Sequence, residues 1–103
     1  MIVESGSTKT DWIFVQKNGE WMFTTDGINP TVLSNVTEIR LESDICRRLS
    51  LTNRVFFYGA GVTSARSKDQ IKEMLVLNGV SSQAYFEIHS DLVAAAKSTV
   101  CLL

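Results

Sequence analysis

Residues 1–27 read MIVESGSTKTDWIFVQKNGEWMFTTDG, in which three runs rich in apolar residues are separated by two clusters of turn-forming residues. The three runs have the composition of strands and lie at residues 1–4, 12–15 and 20–25. Asn18-Gly19 is a strong hairpin signal, because both residue types tolerate the positive φ that two-residue hairpin turns require. The chain is therefore expected to begin as three antiparallel strands joined by tight turns.

The remaining sequence alternates helical and strand patterns. We expect these elements in the order helix, strand, helix, strand, helix at about residues 34–49, 54–58, 67–77, 83–88 and 90–98. The first helix places apolar side chains near one face and charged side chains on the other. Ser67 and Gln70 form a capping-box pattern at the start of the second helix, which Asn78-Gly79 would end. Ser90 or Asp91 would cap the third helix.

This order of elements predicts an α/β fold, in which an antiparallel start continues through right-handed crossovers into parallel strands. We expect one mixed five-stranded sheet with helices on both faces. A chain of 103 residues has the length of one domain, to which we assign residues 1–99. The apolar residues 100–103 would start a further part that the sequence does not complete. An unpaired strand at this end would promote assembly into homo-oligomers.

Charge and composition argue against several classes of partner. The formal net charge is -1, so the chain lacks the basic excess by which proteins attract nucleic acid. Its apolar stretches are far shorter than the roughly 18 to 20 residues that span a bilayer, and its N-terminus lacks a secretory signal. We therefore expect a cytoplasmic protein that binds neither nucleic acid nor membranes. Cys46 and Cys101 lie far apart and form neither a zinc motif nor a disulfide framework.

The strongest chemical signal is the first turn, where the sequence reads ESGSTKTDW over residues 4–12. Gly6 permits a ligand to approach the backbone closely, and successive N–H groups of a turn can form an anion-binding concavity. The hydroxyl groups in this stretch are further donors, and Glu4 at the end of the strand could hold a hydrated magnesium ion. A plain polar β-turn is the alternative interpretation of the same residues.

The same stretch resembles the first phosphate-binding motif of the actin/hexokinase/heat-shock-chaperone superfamily, Asp-x-Gly-x-Thr followed by Thr two residues on. Only Glu4, in place of Asp, departs from that pattern. Residues 5–12 are similar in near-continuous form to BadF/BadG/BcrA/BcrD-type ATPases and N-acetylglucosamine kinases. Three further segments fit this group in the same order, at residues 27–30, 58–61 and 89–96. The resemblance covers almost the whole chain and implies a ribonuclease-H-like lobe, the first lobe of a two-lobed kinase.

The resemblance also implies how ATP and Mg²⁺ would be bound. The phosphates of ATP would be lined by Gly6, Ser7, Thr8, Lys9 and Thr10. Alternation along a strand could point Lys9 away from the two threonines, which makes it the weaker of these predictions. Glu4 would hold Mg²⁺, although it is one methylene longer than the aspartate of the family and magnesium demands near-ideal octahedral geometry.

On the substrate side, the resemblance gives Asp91 the role of the base that accepts the proton of the attacking sugar hydroxyl. A helix cap is the alternative role for this residue. Asn29 would contact the sugar, and Gly59 and Gly61 would lie at the sugar side of the cleft. Each of these three also has a structural alternative, an ordinary loop residue for Asn29 and a backbone requirement for the glycines.

The leading functional hypothesis is the N-terminal fragment of an ATP- and Mg²⁺-dependent amino-sugar kinase, N-acetylglucosamine kinase-like, that is inactive alone. It would transfer the γ-phosphoryl group of ATP to a sugar hydroxyl. An activator-type ATPase of acyl-CoA dehydratases or reductases is the alternative within the same broad group. A non-catalytic binding lobe is the last alternative. A nuclease with a two-metal site built from Glu4, Asp11 and Asp91 would share this lobe, but the hydroxyl-rich hairpin and the near-neutral charge argue against it.

Overall fold

A computed structural model of the chain describes residues 1–30 and 35–90, which form a five-stranded mixed sheet, two α-helices and one 3-10 helix. The strands are β1 (Ile2–Ser5), β2 (Lys9–Gln16), β3 (Gly19–Asp26), β4 (Arg54–Gly59) and β5 (Tyr85–Ser90). The helices are the 3-10 helix Val36–Glu38, α1 (Ser43–Ser50) and α2 (Ala65–Leu77). The α/β class and the mixed five-stranded sheet expected from the sequence are confirmed.

The strands lie in the order β3-β2-β1-β4-β5, so that the N-terminal strand occupies the centre of the sheet. β1 pairs antiparallel with β2 and parallel with β4, while β2 pairs antiparallel with β3 and β4 pairs parallel with β5. The expected antiparallel start and parallel continuation are therefore present. This topology brings the carboxyl ends of β1, β4 and β5 to one edge of the sheet, at Ser5, Gly59 and Ser90.

One face of the sheet carries the hydrophobic core of the described residues. Alternate strand residues such as Val3, Trp12 and Phe57 are fully buried there. α1 and α2 pack on this face and contribute Leu49 and Met74 to the same cluster. Helices were expected on both faces, and both described α-helices lie on this one. No helix in the described part of the chain is long and apolar enough to cross a membrane.

The hairpin between β2 and β3 turns one residue earlier than the sequence predicted. Gln16 and Gly19 are paired strand residues, so the two-residue loop is Lys17-Asn18 rather than Asn18-Gly19. No described residue other than glycine has a positive φ, and the φ of Gly19 is 128°. The glycine therefore accommodates the strained backbone just after the loop, where it joins β3.

The first predicted helix, over residues 34–49, is wrong in its extent. The structure has a 3-10 helix of three residues, an extended stretch that starts at Ile39 (φ -62°, ψ 129°), and α1 only from Ser43. The reason is a buried side chain distant in sequence. Asn78 accepts a hydrogen bond from the backbone N–H of Leu41 at 2.8 Å and donates one to the carbonyl of Ile39 at 2.9 Å. These bonds give the Leu41 N–H and the Ile39 carbonyl hydrogen-bond partners while the segment stays extended.

The ends of two other elements also differ from prediction. α2 begins at Ala65, because Ser64 is its N-cap and forms a reciprocal capping box with Ser67. The expected end at Asn78-Gly79 is confirmed. β5 runs from Tyr85 to Ser90 rather than over 83–88. The role of Ser90 as a helix cap stays a prediction, because the residues after it lie outside the described part of the chain. The third predicted helix, apart from Ser90, lies outside the described residues, as do Asp91, Cys101 and the segment 100–103.

Replacing Ser64 with alanine tests the start of α2. The Ser64 side chain accepts the Ser67 N–H at 3.1 Å, so its loss should lower the free energy of unfolding by about 1 kcal/mol. Urea denaturation followed by circular dichroism measures this change. Ser43→Ala is the control, because Ser43 opens α1 without a side-chain hydrogen bond among the described residues and should change stability by less than about 0.5 kcal/mol. Equal effects of the two variants would contradict the assigned cap.

Candidate functional site

The bend that joins β1 to β2 has an exposed outer surface. It is closed by a hydrogen bond of 2.8 Å from the Gly6 N–H to the Lys9 carbonyl. Ser7 and Thr8, between these two residues, are exposed. Within residues 1–30 and 35–90, neither the Ser7 nor the Thr8 amide N–H is bonded to an acceptor. The bend thus offers two backbone donors and two hydroxyl groups to solvent or to a ligand, the arrangement that favours an anion.

The loop after β3 packs directly against this bend. A Cβ atom added to Gly27 would lie 2.5 Å from the carbonyl oxygens of Gly6 and Ser7, so only glycine fits between the two backbones. Asn29 is buried, and its Nδ2 donates to the Ser7 hydroxyl at 3.4 Å. The predicted phosphate-binding bend and the predicted sugar-binding loop therefore form one continuous surface.

Two buried hydroxyl groups join the bend to this loop from inside. Ser5 Oγ and Thr10 Oγ1 lie 2.8 Å apart, and their side chains are 3% and 0% exposed. Ser5 Oγ accepts the Ile28 N–H at 2.9 Å, while Thr10 donates to the Asp26 carbonyl at 2.8 Å. The hydroxyl of Thr10 is thus committed to internal bonds, and its contact with a phosphate stays a prediction. The bonds of Ser5 and Thr10 fix the position of the loop relative to the bend.

The opposite face of the sheet carries a pair of carboxylates near the bend. Glu4 is exposed and lies directly opposite Asp11 in the antiparallel pair of β1 and β2. Asp11 accepts a hydrogen bond of 2.9 Å from the Thr24 hydroxyl, and its other oxygen lies 3.9 Å from Lys9 Nζ. Lys9 is therefore on the face away from Thr10, as strand alternation indicated.

Glu4 and Asp11 have the donor chemistry that magnesium prefers. Opposed residues of an antiparallel pair have Cβ atoms about 5 Å apart, so one hydrated ion can contact both carboxylates. Mg²⁺ usually keeps several of its waters and uses one or two carboxylates, which two side chains supply. No group of three or more metal-ligating side chains occurs among residues 1–30 and 35–90. The predicted metal ligand Glu4 thus has a neighbouring carboxylate, Asp11, that the resemblance did not name.

The end of β4 forms the third part of this surface, after the bend and the loop that follows β3. The Ala60 N–H donates to the Ser5 carbonyl at 2.9 Å, which ties the loop after β4 to the start of the bend. A Cβ atom on Gly59 would lie 2.6 Å from the Phe57 ring, and Gly61 has a φ of 79°. Both glycines are therefore required by the chain's own backbone and packing. Their contact with a sugar stays a prediction.

β5 ends beside the end of β4, because Ser90 pairs with Gly59 in the parallel register. Asp91, the predicted base, is the next residue along the chain and lies outside the described residues. His89 stacks on Tyr58 with ring centroids 5.9 Å apart, so it packs against the neighbouring strand. The described part of the site therefore consists of the bend, the loop that packs on it and the ends of β4 and β5.

Sequence reasoning missed two parts of this arrangement, Ser5 and Gly27. Ser5 alternates with the buried Val3, so a strand pattern extended by one residue would have placed its hydroxyl on the buried face. Gly27 lies in the segment 27–30 that fits the resembling group, but the neighbouring residues do not indicate that it contacts the bend.

No protein-family model matches the chain, and no curated protein matches it at significant similarity. A functional assignment therefore depends on the geometry of the site and on the motifs that form it.

Proposed function

We propose that the chain is the ribonuclease-H-like first lobe of an ATP-dependent amino-sugar kinase, similar to N-acetylglucosamine kinases. The observation that supports this most is the bend of residues 6–9, against which the Gly27–Asn29 loop is packed. The Ser7 and Thr8 amides of this bend have no acceptor among the described residues. The bend lies at the carboxyl ends of parallel strands, where open α/β sheets bind their ligands.

In this proposal, the bend binds the phosphates of ATP. The amides of Ser7 and Thr8 and their hydroxyl groups donate to phosphate oxygens, and the exposed Lys9 adds positive charge near them. Glu4, with Asp11 beside it, holds hydrated Mg²⁺, which neutralises charge that develops on the transferred phosphoryl group. Thr10 acts from inside by fixing the shape of the bend.

The acceptor sugar occupies the adjoining surface. Asn29 links the two substrates, because its amide contacts Ser7 of the bend and a side-chain amide can also bond a sugar hydroxyl. Asp91, the residue after Ser90 in the sequence, would accept the proton of the attacking hydroxyl. A second lobe closes over both substrates and excludes water, as is usual for kinases with two lobes. Residues 1–103 alone therefore bind ATP weakly and do not turn it over.

Gly6→Ala separates ligand binding from folding. A Cβ atom on Gly6 would meet only the Lys9 carbonyl oxygen, at an ordinary 3.7 Å, and Gly6 does not have a positive φ. The free energy of unfolding of the variant should therefore lie within about 1 kcal/mol of that of the parent chain. The added methyl group should nevertheless obstruct a phosphate that approaches the backbone of the bend. We expect a non-hydrolysable ATP analogue with Mg²⁺ to raise the melting temperature of the parent chain and not that of Gly6→Ala.

The control for this experiment is Glu4→Gln, which removes one negative charge without changing the bend. Its melting temperature should still rise with the nucleotide, but the additional rise that Mg²⁺ produces in the parent chain should be reduced. A parent chain whose melting temperature is unaffected by nucleotide at millimolar concentration, or a Gly6→Ala variant that responds like the parent, would refute the proposed function. Steady phosphorylation of amino sugar by residues 1–103 alone would refute the need for a second lobe.

A further inference from the structure

Lys9 lies between the two parts of the proposed site that bind opposite charges. Its carbonyl accepts the Gly6 N–H at 2.8 Å, so its backbone belongs to the bend. Its Nζ lies 3.9 Å from Asp11 Oδ2, and its side chain is 69% exposed. The residue before it is Thr8, whose amide has no acceptor among the described residues. One flexible ammonium group therefore lies beside a carboxylate and one residue away from a donor that suits an anion.

The carboxylate of Asp11 is positioned by the neighbouring strand. Its Oδ1 accepts the Thr24 hydroxyl of β3 at 2.9 Å, and its side chain is 29% exposed. The Lys9 ammonium is the charged neighbour of the other oxygen, Oδ2. Asp11 also lies opposite Glu4, which forms no ion pair within residues 1–30 and 35–90. A cation shared by Glu4 and Asp11 would therefore compete with Lys9 for Asp11.

The ion pair between Lys9 and Asp11 is weak enough to be replaced. Pairs between exposed side chains change an equilibrium by less than about fivefold, and the N–O distance of this pair is a long 3.9 Å. A divalent cation interacts with two carboxylates at once and repels an ammonium group beside them. Once such a cation is bound, the ammonium group of Lys9 loses its partner and is left next to the bend.

We propose that Lys9 couples metal binding to phosphate binding. Without Mg²⁺ it neutralises Asp11. When Mg²⁺ occupies Glu4 and Asp11, Lys9 turns to the phosphate oxygens at the Thr8 amide and adds a charge-assisted contact there. The chain therefore binds the Mg²⁺ complex of a nucleotide in preference to either component alone. This inference rests on the proposed function, because it gives one residue of the same site a regulatory role.

Replacing Lys9 with methionine should change two affinities in opposite directions. The affinity for Mg²⁺ alone should rise about threefold, because the competing ammonium group is gone. NMR shifts of the Asp11 and Thr24 amides at constant ionic strength measure this affinity. The affinity for a non-hydrolysable ATP analogue at saturating Mg²⁺, measured by calorimetry, should fall about tenfold through loss of a charge-assisted contact.

Lys17→Met is the matched control for Lys9→Met. It removes the same charge from an exposed residue that directly follows the other end of β2. Eight residues of strand span about 26 Å, which exceeds the distance over which exposed charges interact at physiological salt. The control should therefore change both affinities by less than about twofold. A Lys9→Met variant whose affinity for Mg²⁺ is no higher than that of Lys17→Met would overturn the proposal.

A second pair of variants separates the release of Lys9 from a general effect of charge. Asp11→Asn keeps an acceptor for the Thr24 hydroxyl and deprives Lys9 of its partner. Glu4→Gln removes an equal charge that is not paired with Lys9. Without Mg²⁺, Asp11→Asn should therefore bind the analogue about threefold more tightly than Glu4→Gln does. Equal affinities of these two variants would show that nucleotide binding follows net charge and not the release of Lys9.

The parent chain by itself decides the proposed function. If it binds the analogue with Mg²⁺ but the variants do not behave as expected, only the role of Lys9 is wrong. If it does not bind the analogue at all, the proposed function and the role of Lys9 fail together.

Discussion

Replacing Gly27 with alanine is expected to lower the free energy of unfolding by about 4 kcal/mol, a large fraction of the stability of a small domain. The new Cβ atom would lie 2.5 Å from backbone atoms of Gly6 and Ser7, which cannot move aside as a flexible side chain would. Separating the loop from the bend would also break the bond between Ser5 Oγ and the Ile28 N–H and leave two buried polar groups without partners. Chemical denaturation of both proteins measures the loss.

Gly6→Ala is the natural control for Gly27→Ala. The two glycines lie on the two sides of the same contact, but a Cβ atom on Gly6 meets nothing closer than 3.7 Å. The variants should therefore differ by about 3 kcal/mol in unfolding free energy although the chemical change is identical. If Gly27→Ala is as stable as Gly6→Ala, the loop after β3 does not pack on the bend as described, and the continuous surface proposed for the two substrates is lost with it.

Asn78→Ala is expected to have an effect of similar size, about 4 kcal/mol, through loss of buried hydrogen bonds. The side chain is 4% exposed and makes three bonds of 2.8–2.9 Å, to the Leu41 N–H and to the carbonyls of Ile39 and Met74. Removing it leaves backbone groups without partners inside the protein, each at a cost of about 1–3 kcal/mol. The Met74 carbonyl keeps its bond to the Asn78 N–H, which limits the total.

The control is Asn53→Ala, an identical change at an exposed residue whose side chain makes no hydrogen bond among the described residues. Its unfolding free energy should change by less than about 0.5 kcal/mol. Hydrogen exchange adds a local measurement, because the Leu41 amide should lose its protection in Asn78→Ala before the strands do. An Asn78→Ala variant that loses less than about 1 kcal/mol would show that the extended segment before α1 is held by other contacts.

The sequence predicted the order of the elements because the signals involved are local. Turn residues, capping patterns and alternation are each read within a few positions, and the crossover rule then arranges the strands. The failures have non-local causes. The first predicted helix is broken by Asn78, which lies 37 residues from Leu41, and helical periodicity cannot report a bond of that kind.

For the candidate site, the sequence identified the segments but not all of their roles. The predicted second strand began at Trp12, whereas β2 begins at Lys9 and buries Thr10, Trp12 and Phe14 on one face. A strand extended to Thr10 would have indicated its internal position. The contact of Gly27 with the bend, by contrast, depends on the pairing of β2 with β3, which determines where the loop after β3 lies relative to the bend. The residues around Gly27 do not indicate this contact.

The central position of β1 has a consequence for how the molecule is built during synthesis. The bend, its hydroxyl pair and the loop after β3 are complete once residue 29 has left the ribosome, because all their mutual contacts lie within the first 29 residues. The other edge of β1 must wait for β4, since Met1 bonds to Arg54 across 53 residues of chain. Closing so long a loop is slow compared with forming a hairpin. A nascent chain of this length therefore contains every residue of the bend and of the loop that packs on it, while one edge of β1 still lacks its partner strand. Unpaired strand edges promote aggregation, so we expect chaperones to matter most in this interval.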